Sequence, residues 1–205
     1  MKKFRNRKIN RNPLKLLRIF CEGDKGEVAY LNSIFYNNQK LKKFYAPKII
    51  KPTHNDPKGI VDDLVSEIEI QTNQNKVVRN DIIAWVVFDR DTHSNIPEAY
   101  NKASDNNINI AFTNICFEYW ILLHIQYCRK SFHNCEEVIK HIKKVDSEFE
   151  KNIDYYAKYA DKIPHAIKSG KKLEEAIKND SFDKKPIDIN PYTSLHKLVE
   201  FLINE

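Results

Sequence analysis

Apolar residues fall in short runs separated by stretches with helical spacing. The strongest run is Ile82-Ile83-Ala84-Trp85-Val86-Val87-Phe88, closed by Asp89-Arg90-Asp91. Seven consecutive apolar residues, four of them β-branched, predict a strand buried on both faces; a helix of that length is the alternative, disfavoured by the two acids that close the run. A weaker run over residues 14–21 predicts a first strand ending in Glu22-Gly23-Asp24. A helix should follow, with Asp24 as its N-cap and Val28, Leu31, Ile34 and Phe35 on one face. Residues 45–52 suggest a second strand. Then comes a helix over about 58–73, with Ile60, Leu64 and Ile68 inward. Beyond the central strand, Pro97 opens another helix. Residues 108–113 form a fourth short strand and 119–127 an apolar helix.

Strands alternating with helices predict an α/β fold with a mostly parallel sheet and helices on both faces. From residue 128 the chain becomes charged and helical, over 136–163 and 171–178. Residues 186–191 read as a linker and 192–203 as a final amphipathic helix. The expected organisation is a basic tail over 1–12, an α/β core over 13–127 and a helical extension over 128–205 that packs on the core.

Composition narrows the class. With 205 residues, 41% apolar and 30% charged, the chain has room for one sizeable core. No run of eighteen apolar residues occurs, so no membrane span is expected. An apolar signal-peptide core is absent, and Cys21, Cys116, Cys128 and Cys135 form no CxxC pair. Reduced thiols and a cytoplasmic location are the expectation. The net charge of +6 is concentrated at one end. Lys2, Lys3, Arg5, Arg7, Lys8 and Arg11 lie in the first twelve residues, leaving 28 basic against 28 acidic residues. Such a tail either touches nucleic-acid phosphates or serves as a solvated extension. Any nucleic-acid surface on the body must be local.

Asp89 and Asp91, two residues apart in extended chain, either aim at one point, with Arg90 facing away, or are simply helix-capping or turn aspartates. If the first and third strands are neighbours, Glu22 joins them at one sheet edge. Carboxylates held that close need a cation or a shared proton. An all-oxygen set suits Mg²⁺ or Mn²⁺ and phosphoryl-transfer chemistry. Glu22 could be a ligand or a general acid or base. Glu27 either leans in as a further ligand or simply suits the start of its helix. The Glu22–Glu27 segment is neither a P-loop nor a dinucleotide-binding glycine pattern.

The combination Phe20-Cys21-Glu22-Gly23, Glu27, Tyr30-Leu31, Val87-Phe88-Asp89-Arg90-Asp91, Asn114-Ile115-Cys116-Phe117-Glu118-Tyr119-Trp120 and Asn190-Pro191-Tyr192-Thr193 resembles the RloB-like family, which carries a Toprim-like fold. The resemblance spans residues 14–204. It implies a Mg²⁺-dependent, Toprim-type endonuclease of bacterial phage defence acting on DNA or on tRNA or other RNA. It also implies a nearby ABC- or SMC-like ATPase as partner. By position, Glu22 matches the catalytic glutamate and Asp89 and Asp91 the metal-binding pair. Glu27 matches a second acid of related nucleases. Asn114-Ile115 stands where Asn-Pro is usual, and Gly26 where threonine is frequent. Neither departure removes a carboxylate.

Other residues have alternative readings. Glu118 is either a helix cap, a supporting group behind the metal ligands or a ligand of a second metal. Lys25 and Arg90 bind substrate phosphate or balance charge. His124 is a core histidine or a phosphate contact. Cys128, His133, Cys135 and His141 have only a loosely zinc-like spacing. Against the nuclease stand a non-catalytic regulatory subunit of an ATPase complex and, more remotely, a receiver- or phosphatase-like fold with Asp89 as phospho-acceptor. Homo-oligomerisation stays open.

Overall fold

The computed structural model describes residues 13–90, 93–180 and 183–204; the basic tail and Asp91 lie outside them. The first half alternates as expected: β1 (Lys15–Cys21), α1 (Glu27–Asn37), a short α2 (Leu41–Phe44), β2 (Tyr45–Ile50), α3 (Pro57–Glu69), β3 (Ile82–Asp89), α4 (Ile96–Asp105), β4 (Asn109–Asn114) and α5 (Phe117–Ile125). The second half contributes α6 (Cys135–Val145), α7 (Tyr155–Tyr159), α8 (Ile163–Asp180), β5 (Tyr192–Thr193) and α9 (Leu195–Asn204). Among the described residues, no helix is long and apolar enough to cross a membrane.

The strands form one sheet in the order β2-β1-β3-β4-β5, parallel except for β5. Strand parity explains the unbroken apolar run of β3. Trp85 and Val87 face a layer that includes Leu31 and Phe35 of α1, Trp120 of α5, Leu173 of α8 and Leu198 of α9. Ala84, Val86 and Phe88 face Ile60 and Leu64 of α3 and Ala99 of α4. Covering both faces leaves no polar position within the strand.

Three local expectations change. Asp24 does not cap α1: Gly26 holds the N-cap position, and no side chain caps the helix. Residues 24–26 turn first, and the Glu27 carboxylate reaches back to accept the Gly23 N–H at 3.0 Å. The helix predicted over 58–73 is capped by Asp56, which accepts from Gly59, and runs as α-helix only to Glu69. A π-helical turn, Ile70–Gln74, follows it. The final helix begins at Leu195, because Tyr192 and Thr193 pair with Asn114 and Thr113 as an antiparallel strand. Ser194 Oγ accepts the Phe112 N–H at 2.9 Å and continues that attachment.

The expectation of four thiols also changes. Cys116 and Cys135 are joined as a disulfide, with Cα atoms 5.7 Å apart, while Cys21 and Cys128 are free and buried. The two lie 19 positions apart in the chain. Their meeting comes from the packing of α6 on α5, which no local signal foretells. Protein unfolded without reductant should present two thiols to a chromogenic disulfide reagent, and four after reduction. Four before reduction would rule the pairing out.

Candidate functional site

The chain leaves β1 towards β2 on one side and returns through α3 to β3 on the other. Between the carboxyl ends of β1 and β3 the connections therefore diverge, the usual place for a crevice in an open α/β sheet. The Glu22 N–H donates to Val87 O at 2.9 Å, so the β1–β3 pairing continues to the acids.

Asp89 is the last residue of β3 rather than just beyond it. By parity it shares the face of Trp85 and Val87, towards α1 and α5. Its Oδ2 accepts the Phe117 N–H at the start of α5, at 2.8 Å. Burial raises its carboxyl well above the ordinary aspartate value, and the neighbouring charge of Glu27, with smaller effects of Glu22 and Glu118, raises it further. Glu27, 6% exposed, is pushed up to about 8 by burial, with Glu22 and Glu118 adding to the rise. The Gly23 hydrogen bond and Lys51 oppose it.

Glu118, 5% exposed, enters from the first turn of α5. Tyr155 donates to its Oε1 at 3.4 Å, and Lys151 lies 3.7 Å from the same oxygen. Its Oε2 lies 3.1 Å from the Cys135 sulfur. Gly23, Asp24, Lys25, Gly26, Glu27, Asp89, Phe117, Glu118, Lys151 and Asn152 line a cleft of about 270 Å³.

Glu22 sits at the rim and does not line that cleft. Its Oε2 accepts the Asp89 N–H at 3.1 Å, and its Oε1 pairs with His93 Nε2 at 2.8 Å. Continuing the alternation of β1 turns Glu22 towards α3 and α4, away from Asp89's face. The acids thus meet across the end of the sheet. His93 is a site residue that sequence reasoning missed; its one signal is its place in the loop leaving β3. Lys151 and Asn152 were equally hidden, because only the tertiary fold brings the segment after α6 to the cleft.

The other candidates divide. Lys25 reaches the cleft; Arg90 is exposed, and its backbone N–H donates to Thr113 O at 2.9 Å. His124 is a core residue, 1% exposed, bonded to Tyr30 OH at 2.8 Å and Trp120 O at 3.0 Å. Burial lowers its pKa to about 4, so it is neutral and unavailable to a phosphate. Cys128, His133, Cys135 and His141 do not assemble a ligand group among the described residues. There the tight grouping is Cys116, Glu118 and Cys135, whose two sulfurs are bonded to each other.

Glu22, Glu27 and Asp89 do not all bring an oxygen within 4.8 Å of one another. A hard cation would therefore take one or two carboxylates and fill its shell with water, the usual habit of Mg²⁺. Glu27 Oε1 and Asp89 Oδ1 have no hydrogen-bond partner among the described residues, so the donor set fits such an ion.

A family model described as RloB-like protein matches residues 17–202. No curated protein and no solved structure matches the chain.

Proposed function

From the chain's membership of the RloB-like family, we propose that it is a divalent-metal-dependent endonuclease that hydrolyses phosphodiester bonds in DNA or RNA. The observation that carries this reading is the convergence of Glu22, Glu27, Asp89 and Glu118 at the carboxyl ends of β1, β3 and β4. They lie close enough to raise the Glu27 and Asp89 carboxyls. Burying several acids together is costly unless a cation or protons compensate. Glu27 and Asp89 would hold Mg²⁺ or Mn²⁺. When bound, the ion would supply charge neutralisation on phosphate oxygens.

Glu22 then serves as general acid or base. Its carboxylate is held by the Asp89 N–H, and His93 lies 2.8 Å away to exchange the proton it gains or gives. Lys25 and Lys151, on the cleft wall, orient the substrate phosphate. A role in antiphage defence beside an ABC- or SMC-like ATPase is part of the same reading and is supported by the family alone.

Incubation of the full chain with plasmid DNA and with total tRNA, in Mg²⁺ or Mn²⁺, should give cleavage that EDTA stops. Repeating the assay with the ATPase encoded beside it, if one is present, tests the partnership. Nucleic-acid or ATPase binding without cleavage in any metal would leave a regulatory module in place of an enzyme.

A further inference from the structure

Between Glu27 and Asp56 the chain contains five lysines and no aspartate or glutamate. The fold gathers this segment into one edge of the molecule: the end of α1, then α2, then β2, the outermost strand of the sheet. Lys40, Lys42 and Lys43 are exposed and form no ion pair with any described residue. Lys15, also exposed, stands opposite Tyr45 in the β1–β2 register. Beside these cations lie the two most exposed aromatic side chains described, Tyr36 at 55% and Phe44 at 57%. Lys42 Nζ sits 5.9 Å from the centre of the Tyr36 ring.

We propose that this edge binds the sugar-phosphate backbone of an unpaired nucleic-acid strand, with bases stacked on Tyr36 and Phe44; the proposal rests on the nuclease reading for its substrate class. Unpaired lysines supply counterion release, and exposed rings supply stacking platforms. Unpaired strand is favoured over duplex because only unstacked bases offer a free face to a ring. Direction follows from the strand. β2 spans about 20 Å from α2 to Ile50, which stands opposite Phe20, two residues before Glu22 at the acidic end of β1. A strand laid along this edge leads from the aromatic patch to the acidic cleft.

The test is fluorescence anisotropy of the full chain in EDTA, with labelled single-stranded DNA, single-stranded RNA and the duplex of the same sequence. Tyr36→Ala/Phe44→Ala should weaken binding of the unpaired strands about tenfold or more and the duplex far less. Lys40→Gln/Lys42→Gln/Lys43→Gln should reduce the slope of log affinity against log salt by about 2. All five side chains are exposed, and thermal melts will confirm that the variants fold. Tighter binding of one strand identifies the polymer and supports the surface either way. The proposal is overturned if both variants bind like the parent. It is also overturned if duplex and unpaired strand lose affinity equally, or if only the oligomeric state changes, which would make the edge a self-association face. A chain that binds through this edge but never cuts sinks the nuclease reading alone. One that cuts while the variants bind unchanged sinks the surface alone.

Discussion

If Asp89 holds the metal as proposed, Asp89→Asn is expected to lower metal-dependent phosphodiester cleavage by about a thousandfold, the equivalent of about 4 kcal/mol of transition-state stabilisation. Asparagine is the informative replacement. It keeps an oxygen to accept the Phe117 N–H, now made at 2.8 Å. Alanine would leave that backbone donor unpaired at a cost of about 1–3 kcal/mol, confusing chemistry with folding. The same substitution removes a buried charge from among other acids. In metal-free buffer at pH 8 the variant should therefore melt higher than the parent, and added Mg²⁺ should stabilise it less. Cleavage that survives in a folded Asp89→Asn protein would place the reacting centre elsewhere.

The second large effect is on stability. Glu27 carries a carboxyl pushed up to about 8 from an ordinary 4.5, first by burial and then by Glu22 and Glu118. A raised carboxyl means that the fold prefers the protonated form. Its contribution to stability is fully present below about 4.5 and is lost as pH rises through about 8. For metal-free protein that loss is on the order of 5 kcal/mol, shared with Asp89 because the two acids interact. His124 works in the opposite sense at lower pH. Its pKa falls from 6.5 to about 4, so its contribution is present above 6.5 and lost as pH drops towards 4. Above pH 6.5 the acids alone set the trend. Urea unfolding in EDTA should show the parent losing stability from pH 6.5 to 8 and Glu27→Gln losing less, since Asp89 remains buried. Mg²⁺ should restore the parent at pH 8 and do little at pH 5.5, where protons occupy the carboxylates. An unchanged slope in Glu27→Gln would mean that its carboxyl is not held in the buried cluster.

Much of this architecture is legible in the sequence because burial on two faces leaves a plain mark. Residues 82–88 read more readily as a buried strand than as a short helix because two acids close the run, and the strand does end on Asp89. Glu27 and Glu118 were legible only as alternatives, because an acid opening a helix just after a strand suits a helix dipole or cap as well as a site. What stayed hidden depends on distant partners. β5 is two residues long, and its pairing with β4 spans about eighty residues of chain. The opposite facing of Glu22 and Asp89 emerges only once the β1–β3 register is known: Cys21 stands beside Val87, placing Glu22 next to Phe88. That one-step offset gives Glu22 to His93 at the rim and leaves Glu27, Asp89 and Glu118 in the cleft.

The late segment from Tyr192 to Asn204 has a consequence for biosynthesis. β5 completes the sheet beside β4, while α9 packs on α1, the helix that carries Glu27. Asn38, just beyond α1, donates to Leu202 O at 3.0 Å. A translating ribosome therefore releases Glu22, Glu27, Asp89 and Glu118 well before the piece that seals the layer beneath them. Until that piece emerges, the face of α1 that α9 covers has no partner from this segment.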